Sequence, residues 1–230
     1  MPRFPWSLLS ALLLAACSRP TGEPAPLPTL PATYSGRLPC ADCPGIRLTL
    51  TLWPDSCFYL ERVRFNKDED KEQIEYEIGG WHHEEGRIVL EAAEPLMSFQ
   101  VGSTAARLYP LTPDGQPDKT VGSAFLAHAR EMEPPEPRLD ISGMVSRHGE
   151  DLRVRECYGG REFVVIPGGD SPALDEAWTR LDVDEGSALL GSFSVRIGLS
   201  RGSNGDREPV LYIDHFSNLV ADEDCPGGEE

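Results

Sequence analysis

Hydrophobic and polar residues alternate along much of this chain. Ile46, Leu48, Leu50 and Leu52 are separated by Arg47, Thr49 and Thr51, and Ile74, Tyr76 and Ile78 by Glu75 and Glu77. A period of two places one face of a strand on a core and the other in water. Tyr34 onward, Phe58–Phe65, Arg87–Glu91, Ser98–Val101 and Ala106–Leu111 read as further strands. Pro54-Asp55-Ser56 and Pro113-Asp114-Gly115 are turn signals, Asn66–Glu72 reads as a charged loop, and Gly79-Gly80-Trp81 is expected to end its strand. An antiparallel meander of about six strands curls readily into a barrel, which removes exposed edges.

Glu131–Pro137 carries three prolines and three glutamates and is expected to separate two domains, residues 33–130 and 139–230, with 131–138 as linker. Beyond it the pattern predicts strands at Ile141–Ser146, Asp151–Glu156 and Glu162–Ile166, a helix, and strands at Leu189–Leu199 and Val210–Phe216. The helix is marked by Ser171 as a cap, Pro172 at the first helical position, and Leu174, Ala177, Trp178 and Leu181 on one face. Three strands, a helix and two strands is the order of an OB-type barrel. The fold class is thus mainly β, in two small barrels, the second carrying one helix.

The start of the chain reads differently. Arg3 precedes an apolar run, Trp6–Ala16, too short to cross a bilayer about 30 Å thick as a helix. It fits the hydrophobic region of a secretory signal, and Leu14-Ala15-Ala16-Cys17 resembles the lipobox of bacterial lipoproteins. Residues 1–16 are therefore expected to be removed, leaving Cys17 as a lipidated N-terminus. Ser18 in place of aspartate favours the outer membrane. Five prolines between Arg19 and Pro31 make residues 17–32 an extended tether.

Charge excludes one class of partner. The net charge is −17 with only three lysines, and residues 139–230 hold 19 acidic against 8 basic side chains. Nucleic acid rewards the opposite sign, so the OB-type order is not read as nucleic-acid binding.

The cysteines carry the candidate chemistry. In Cys40-Ala41-Asp42-Cys43 the second cysteine is followed by Pro44 rather than histidine, which excludes a c-type haem site. Pro44-Gly45 leads into a strand, so a helix N-terminus that would activate a redox thiolate is missing. Two readings stay open: a local disulfide, favoured by an oxidising compartment, and a soft-metal site in which two thiolates hold Cu(I) or half of a zinc shell. Cys157 and Cys225 are expected to form a disulfide that ties down the last strand, and Cys57 to be a buried thiol. His82-His83 can share an ion only within a turn, and a solvated pair is the expected outcome. Met97, Met132 and Met144 form no metal-binding run.

The block Tyr34-Ser35-Gly36-Arg37-Leu38-Pro39-Cys40-Ala41-Asp42-Cys43-Pro44-Gly45-Ile46, behind a lipobox, resembles the NlpE family of copper-homeostasis and envelope-stress lipoproteins. Gly79-Gly80-Trp81, Leu111–Gly115, Glu156–Phe163 and Asp224-Cys225 are similar to further family elements. The resemblance implies a lipocalin-like first barrel joined to an OB-like second one. It implies a non-enzymatic, outer-membrane-anchored protein that signals to an envelope sensor kinase and is handled by lipoprotein-processing and disulfide-forming machinery. Copper is the implied metal, at Cys40 and Cys43. Cys57 departs from the family pattern. Two other functions stay open: a lipocalin-like carrier of an apolar ligand, which needs an open barrel interior, and an envelope thiol oxidoreductase, which needs an acidic Cys40 thiol.

Overall fold

The computed structural model describes residues 27–66, 72–91, 97–131, 134–181, 186–201 and 207–226. The signal segment, Cys17, most of the proline-rich tether, Met132 and most of the charged 66–72 loop lie outside the described residues.

Eight strands follow one another around a closed up-and-down barrel: β1 Ala32–Leu38, β2 Gly45–Leu52, β3 Cys57–Phe65, β4 Gln73–Glu84, β5 Arg87–Glu91, β6 Met97–Val101, β7 Arg107–Leu111 and β8 Leu126–His128. Seven of these strands correspond to segments that the alternation marks, and one strand has no counterpart among them. That strand, β8, is three residues long and closes the barrel by pairing Tyr34 with His128 and Ser35 with Ala127. Gly36 sits against the Phe125 carbonyl where no β-carbon would fit, and this close approach permits the closure. Tyr34, Leu48, Leu50, Leu52, Phe58 and Leu60 are among the side chains that fill the interior.

Gly79-Gly80-Trp81 does not end a strand, because β4 continues to Glu84. A β-carbon on Gly79 would lie 2.5 Å from the Glu91 carbonyl and 2.9 Å from Phe58. Glycine therefore lets β4 leave β3, whose last partner is Gly80, and take up β5, whose first partner is the same residue. His82 and His83 consequently lie on this strand, on opposite faces, and do not form a loop pair.

The second barrel comprises β9 Arg138–His148, β10 Asp151–Glu156, β11 Glu162–Val165, the helix α1 Ser171–Leu181, β12 Ala188–Arg201 and β13 Arg207–Val220. Its closed order is β10-β11-β13-β12-β9, with β11 and β13 parallel, matching the element order read from the sequence. Leu174 and Trp178 turn α1 onto the core, whereas Leu181 is exposed. Ser171 does not cap the helix. Its hydroxyl accepts the Gly168 N–H (2.9 Å), and the first helical bond runs from the Leu174 N–H to the Asp170 carbonyl (3.1 Å). The Asp170 carboxylate accepts the Phe216 N–H (3.1 Å) and meets His215 Nδ1 (3.0 Å), tying the helix start to β13. Those bonds hold its carboxyl below the ordinary aspartate range.

The core of the second barrel extends into the first. Trp53, Cys57 and Tyr59 belong to one buried cluster with Ile141, Val154 and Phe163, and Ile78 packs against it. Register explains the sharing. Cys57 pairs with Gly80 and Tyr59 with Ile78, so these side chains occupy the outer face of the β3–β4 pair, opposite Phe58 and Leu60. Ile78 and Ile74 thus lie outside the first barrel rather than filling it.

Candidate functional site

The hairpin between β1 and β2 holds Cys40 and Cys43. Leu38 pairs with Ile46 at its base, and Pro39 and Pro44 bracket the loop. Proline favours the extended or turn conformations such a loop needs and cannot prolong the ladder. Gly45, at a φ of 149°, makes the entry to β2, and a β-carbon there would meet Arg37 Nε at 2.5 Å. The freed space lets the Arg37 guanidinium donate to the Pro44 carbonyl (3.0 Å) while lying 4.6 Å from the centre of the Phe65 ring. Arg64 on β3 pairs with Asp42 at 2.6 Å.

Within this frame Cys40 and Cys43 form a disulfide, with Cα atoms 5.2 Å apart. Cys40 Sγ lies 3.2 Å from Asp42 Oδ1 and Cys43 Sγ 3.5 Å from the Gly45 carbonyl. With the bond closed neither sulfur carries a proton, so these are close approaches rather than hydrogen bonds. The two sulfurs and an Asp42 oxygen all fall within 4.8 Å of one another. Cys40 and Cys43 are half-buried and Asp42 is exposed. Opening the disulfide yields two thiolates and a carboxylate at one accessible tip, beside the cationic Arg37 and Arg64. Two soft sulfur donors suit Cu(I), and nearby guanidinium groups favour the thiolate form. A tetrahedral zinc shell needs a further ligand.

The second disulfide joins Cys157, just after β10, to Cys225, beyond β13, with Cα atoms 5.2 Å apart. The turn it anchors is organised by Glu156, a buried carboxylate. Its oxygens accept N–H bonds from Tyr158 (2.6 Å), Gly159 (2.8 Å) and Arg161 (3.2 Å). Arg161 then crosses to the first barrel. It pairs with Asp55 (3.0 Å), donates to the Tyr59 hydroxyl (3.1 Å), and lies 4.9 Å from the Trp53 ring and 5.7 Å from that of Phe163. Glu156, Arg161 and Asp55 carried no signal as a set in the sequence, since 106 positions separate Asp55 from Arg161. Asp55 read only as part of a turn.

Cys57 is a free thiol, 7 % exposed. Burial, reinforced by Asp55 and opposed by Arg161, pushes its pKa up to about 11. His82 Nδ1 meets Glu91 at 2.7 Å, while the Nε2 of His83 is buried; one ion cannot engage both.

Residues 34–120 match the NlpE N-terminal domain model. Lipoprotein NlpE of Escherichia coli (strain K12) is 27 % identical over 144 residues, spanning 62 % of this chain and 59 % of the relative's length. The Cpx pathway activator NlpE from Escherichia coli aligns in structure over 86 % of this chain and 99 % of its own, with 21 % identity and a TM-score of 0.36. A putative lipoprotein from Shewanella oneidensis aligns over 44 % of this chain and 90 % of its own, with 28 % identity and a TM-score of 0.37. The CxxC hairpin lies inside residues 34–120, the segment that is similar to the NlpE N-terminal domain.

Proposed function

We propose that this chain is a non-enzymatic lipoprotein of the bacterial cell envelope, acting in copper homeostasis and envelope-stress signalling, with Cys40 and Cys43 as its metal- or redox-responsive element. Anchoring to the outer membrane goes through Cys17, and the described domains follow a cleaved leader and a tether. An envelope sensor kinase is the partner that the family resemblance implies. The observation that carries the reading is the exposed hairpin that gathers Cys40, Asp42 and Cys43 within 4.8 Å, under the influence of Arg37 and Arg64. An external dithiol that supplies two electrons and is itself oxidised to a disulfide converts the closed Cys40–Cys43 bond of such a tip into a metal-holding dithiolate.

The reduced, unlipidated protein is expected to bind Cu(I) with one-to-one stoichiometry in a competition titration against a colorimetric chelator. The Cys40→Ser/Cys43→Ser variant is expected to lose that binding. Equal affinity in the two proteins would overturn the metal half of the proposal. The carrier reading is disfavoured, because the first barrel's interior is occupied by Leu50, Phe58, Leu60 and Phe99, all fully buried.

A further inference from the structure

Tyr158 is 73 % exposed, yet its backbone is anchored on its N-terminal side. It follows the disulfide-bonded Cys157, and its own N–H is bonded to the buried Glu156 carboxylate. A large aromatic side chain held out into solvent on a fixed backbone is prepared for contact at little entropic cost.

Two open grooves meet at this side chain. One, of about 810 Å³, runs over β9 and β12 and is lined by Ser142, Ser192, Phe193 and Ser194. The other, of about 410 Å³, lies in the crease between the barrels, against Tyr76, Ile78 and Leu139. Both are bounded by Asp140, Ile141 and Tyr158, so they form one elongated trough. Ile74, 48 % exposed, continues the apolar strip on the same face of β4. Large apolar side chains exposed together mark contact surfaces more often than singly exposed ones do.

The charge of the trough selects its occupant. Among the described residues that line it, Glu75, Glu77 and Asp140 stand against the cation Arg62. Arg62 is already paired with Glu77 and faces Glu75 across the β3–β4 pair, which leaves Asp140 as the uncompensated charge shared by both grooves. We propose that this trough is a docking site for an extended polypeptide segment that combines apolar side chains with lysine or arginine. An extended chain projects successive side chains to opposite sides, so an apolar residue can enter the crease beside Ile78 while its neighbours lie over the serine hydroxyls. A cationic residue faces Asp140 on β9, and Tyr158 supplies the aromatic anchor.

The test is fluorescence anisotropy with the unlipidated mature chain and fluorescein-labelled ten-residue peptides. In the reference peptide leucine and lysine alternate with threonine; in two controls serine replaces leucine or glutamate replaces lysine. Saturable binding of the reference peptide is expected, weakened about tenfold or more by either control and by Tyr158→Ala, and less by Asp140→Asn. Tyr158→Phe should retain binding, which separates loss of the aromatic face from a folding defect. Cys40→Ser/Cys43→Ser should bind as wild type, so the result is independent of the hairpin chemistry. Equal binding of the serine control would reduce the effect to the bulk charge of the chain and overturn the proposal. So would wild-type affinity in Tyr158→Ala, no binding of any peptide, or Tyr158-dependent binding of a chito-oligosaccharide in place of the peptide.

Discussion

Tyr34 and Cys57 show how burial sets the acid–base behaviour of single residues here. The Tyr34 hydroxyl donates to the Ala105 carbonyl inside the first barrel (2.8 Å), and burial lifts its pKa from 10.0 to about 12. Cys57 rises from 9.0 to about 11, and Tyr59 is raised for the same reason. Each group is neutral when protonated, so the folded state holds its proton at a pH where the unfolded chain releases it. The associated stability is complete below pH 9 and is lost as pH climbs through the folded values. The urea midpoint is expected to fall between pH 8 and pH 11, with a shallower fall in Cys57→Ala. A midpoint that stays level over that range would contradict the argument. The same burial makes Cys57 slow to alkylate, because the thiolate is the reactive form.

At the scale of elements, ends matter more than middles. The strand cores follow from alternation, but each special position is a place where an element starts, crosses or stops. Gly79 lets β4 change partners, Gly45 admits Arg37 to the CxxC hairpin, and Gly159 lets the 157–160 turn fold over the Glu156 carboxylate, whose Oε1 lies 3.0 Å from where a β-carbon would stand. The Cys157–Cys225 bond closes a loop with a sequence separation of 68, across β11, α1, β12 and β13. In the chain-entropy model such a loop contributes about 4 kcal/mol. Cys157→Ser/Cys225→Ser is expected to lose stability of that order in urea denaturation, with the far-ultraviolet signal of the second barrel lost first. If its midpoint matches wild type, the bond constrains little.

On the scale of the whole molecule, the two barrels are fastened by one cluster. Arg161, whose side chain is 12 % exposed, joins Asp55 and Tyr59 of the first barrel to the Glu156 turn of the second. It also lies against the rings of Trp53 and Phe163. Arg161→Met keeps much of the stem packing but removes the ion pair and the stacked cation, at a cost of about 2 kcal/mol. The variant is expected to unfold in two steps, followed through Trp81 in the first barrel and Trp178 in the second, whereas the wild type should unfold in one. Coincident transitions in the variant would show that the barrels hold together without this contact. The CxxC hairpin stands at the opposite end of β2 from the Trp53 turn, about 25 Å away by the rise of the strand. The responsive tip and the inter-barrel fastening are therefore separate features.

What the chain determined without its tertiary structure follows from local rules. Alternation marks strands, a serine–proline–apolar pattern marks α1, and paired cysteines three residues apart are near neighbours in any conformation. The closing strand of the first barrel, the passage of β4 through Gly79-Gly80, the tie from Asp170 to β13 and the outward placement of Ile74 and Ile78 were decided by folding. Each depends on which strands lie beside each other, and a period of two cannot say which of its faces is the inside. The Arg161 cluster and the trough at Tyr158 are further from reach, because side chains about a hundred positions apart meet only once both barrels have closed.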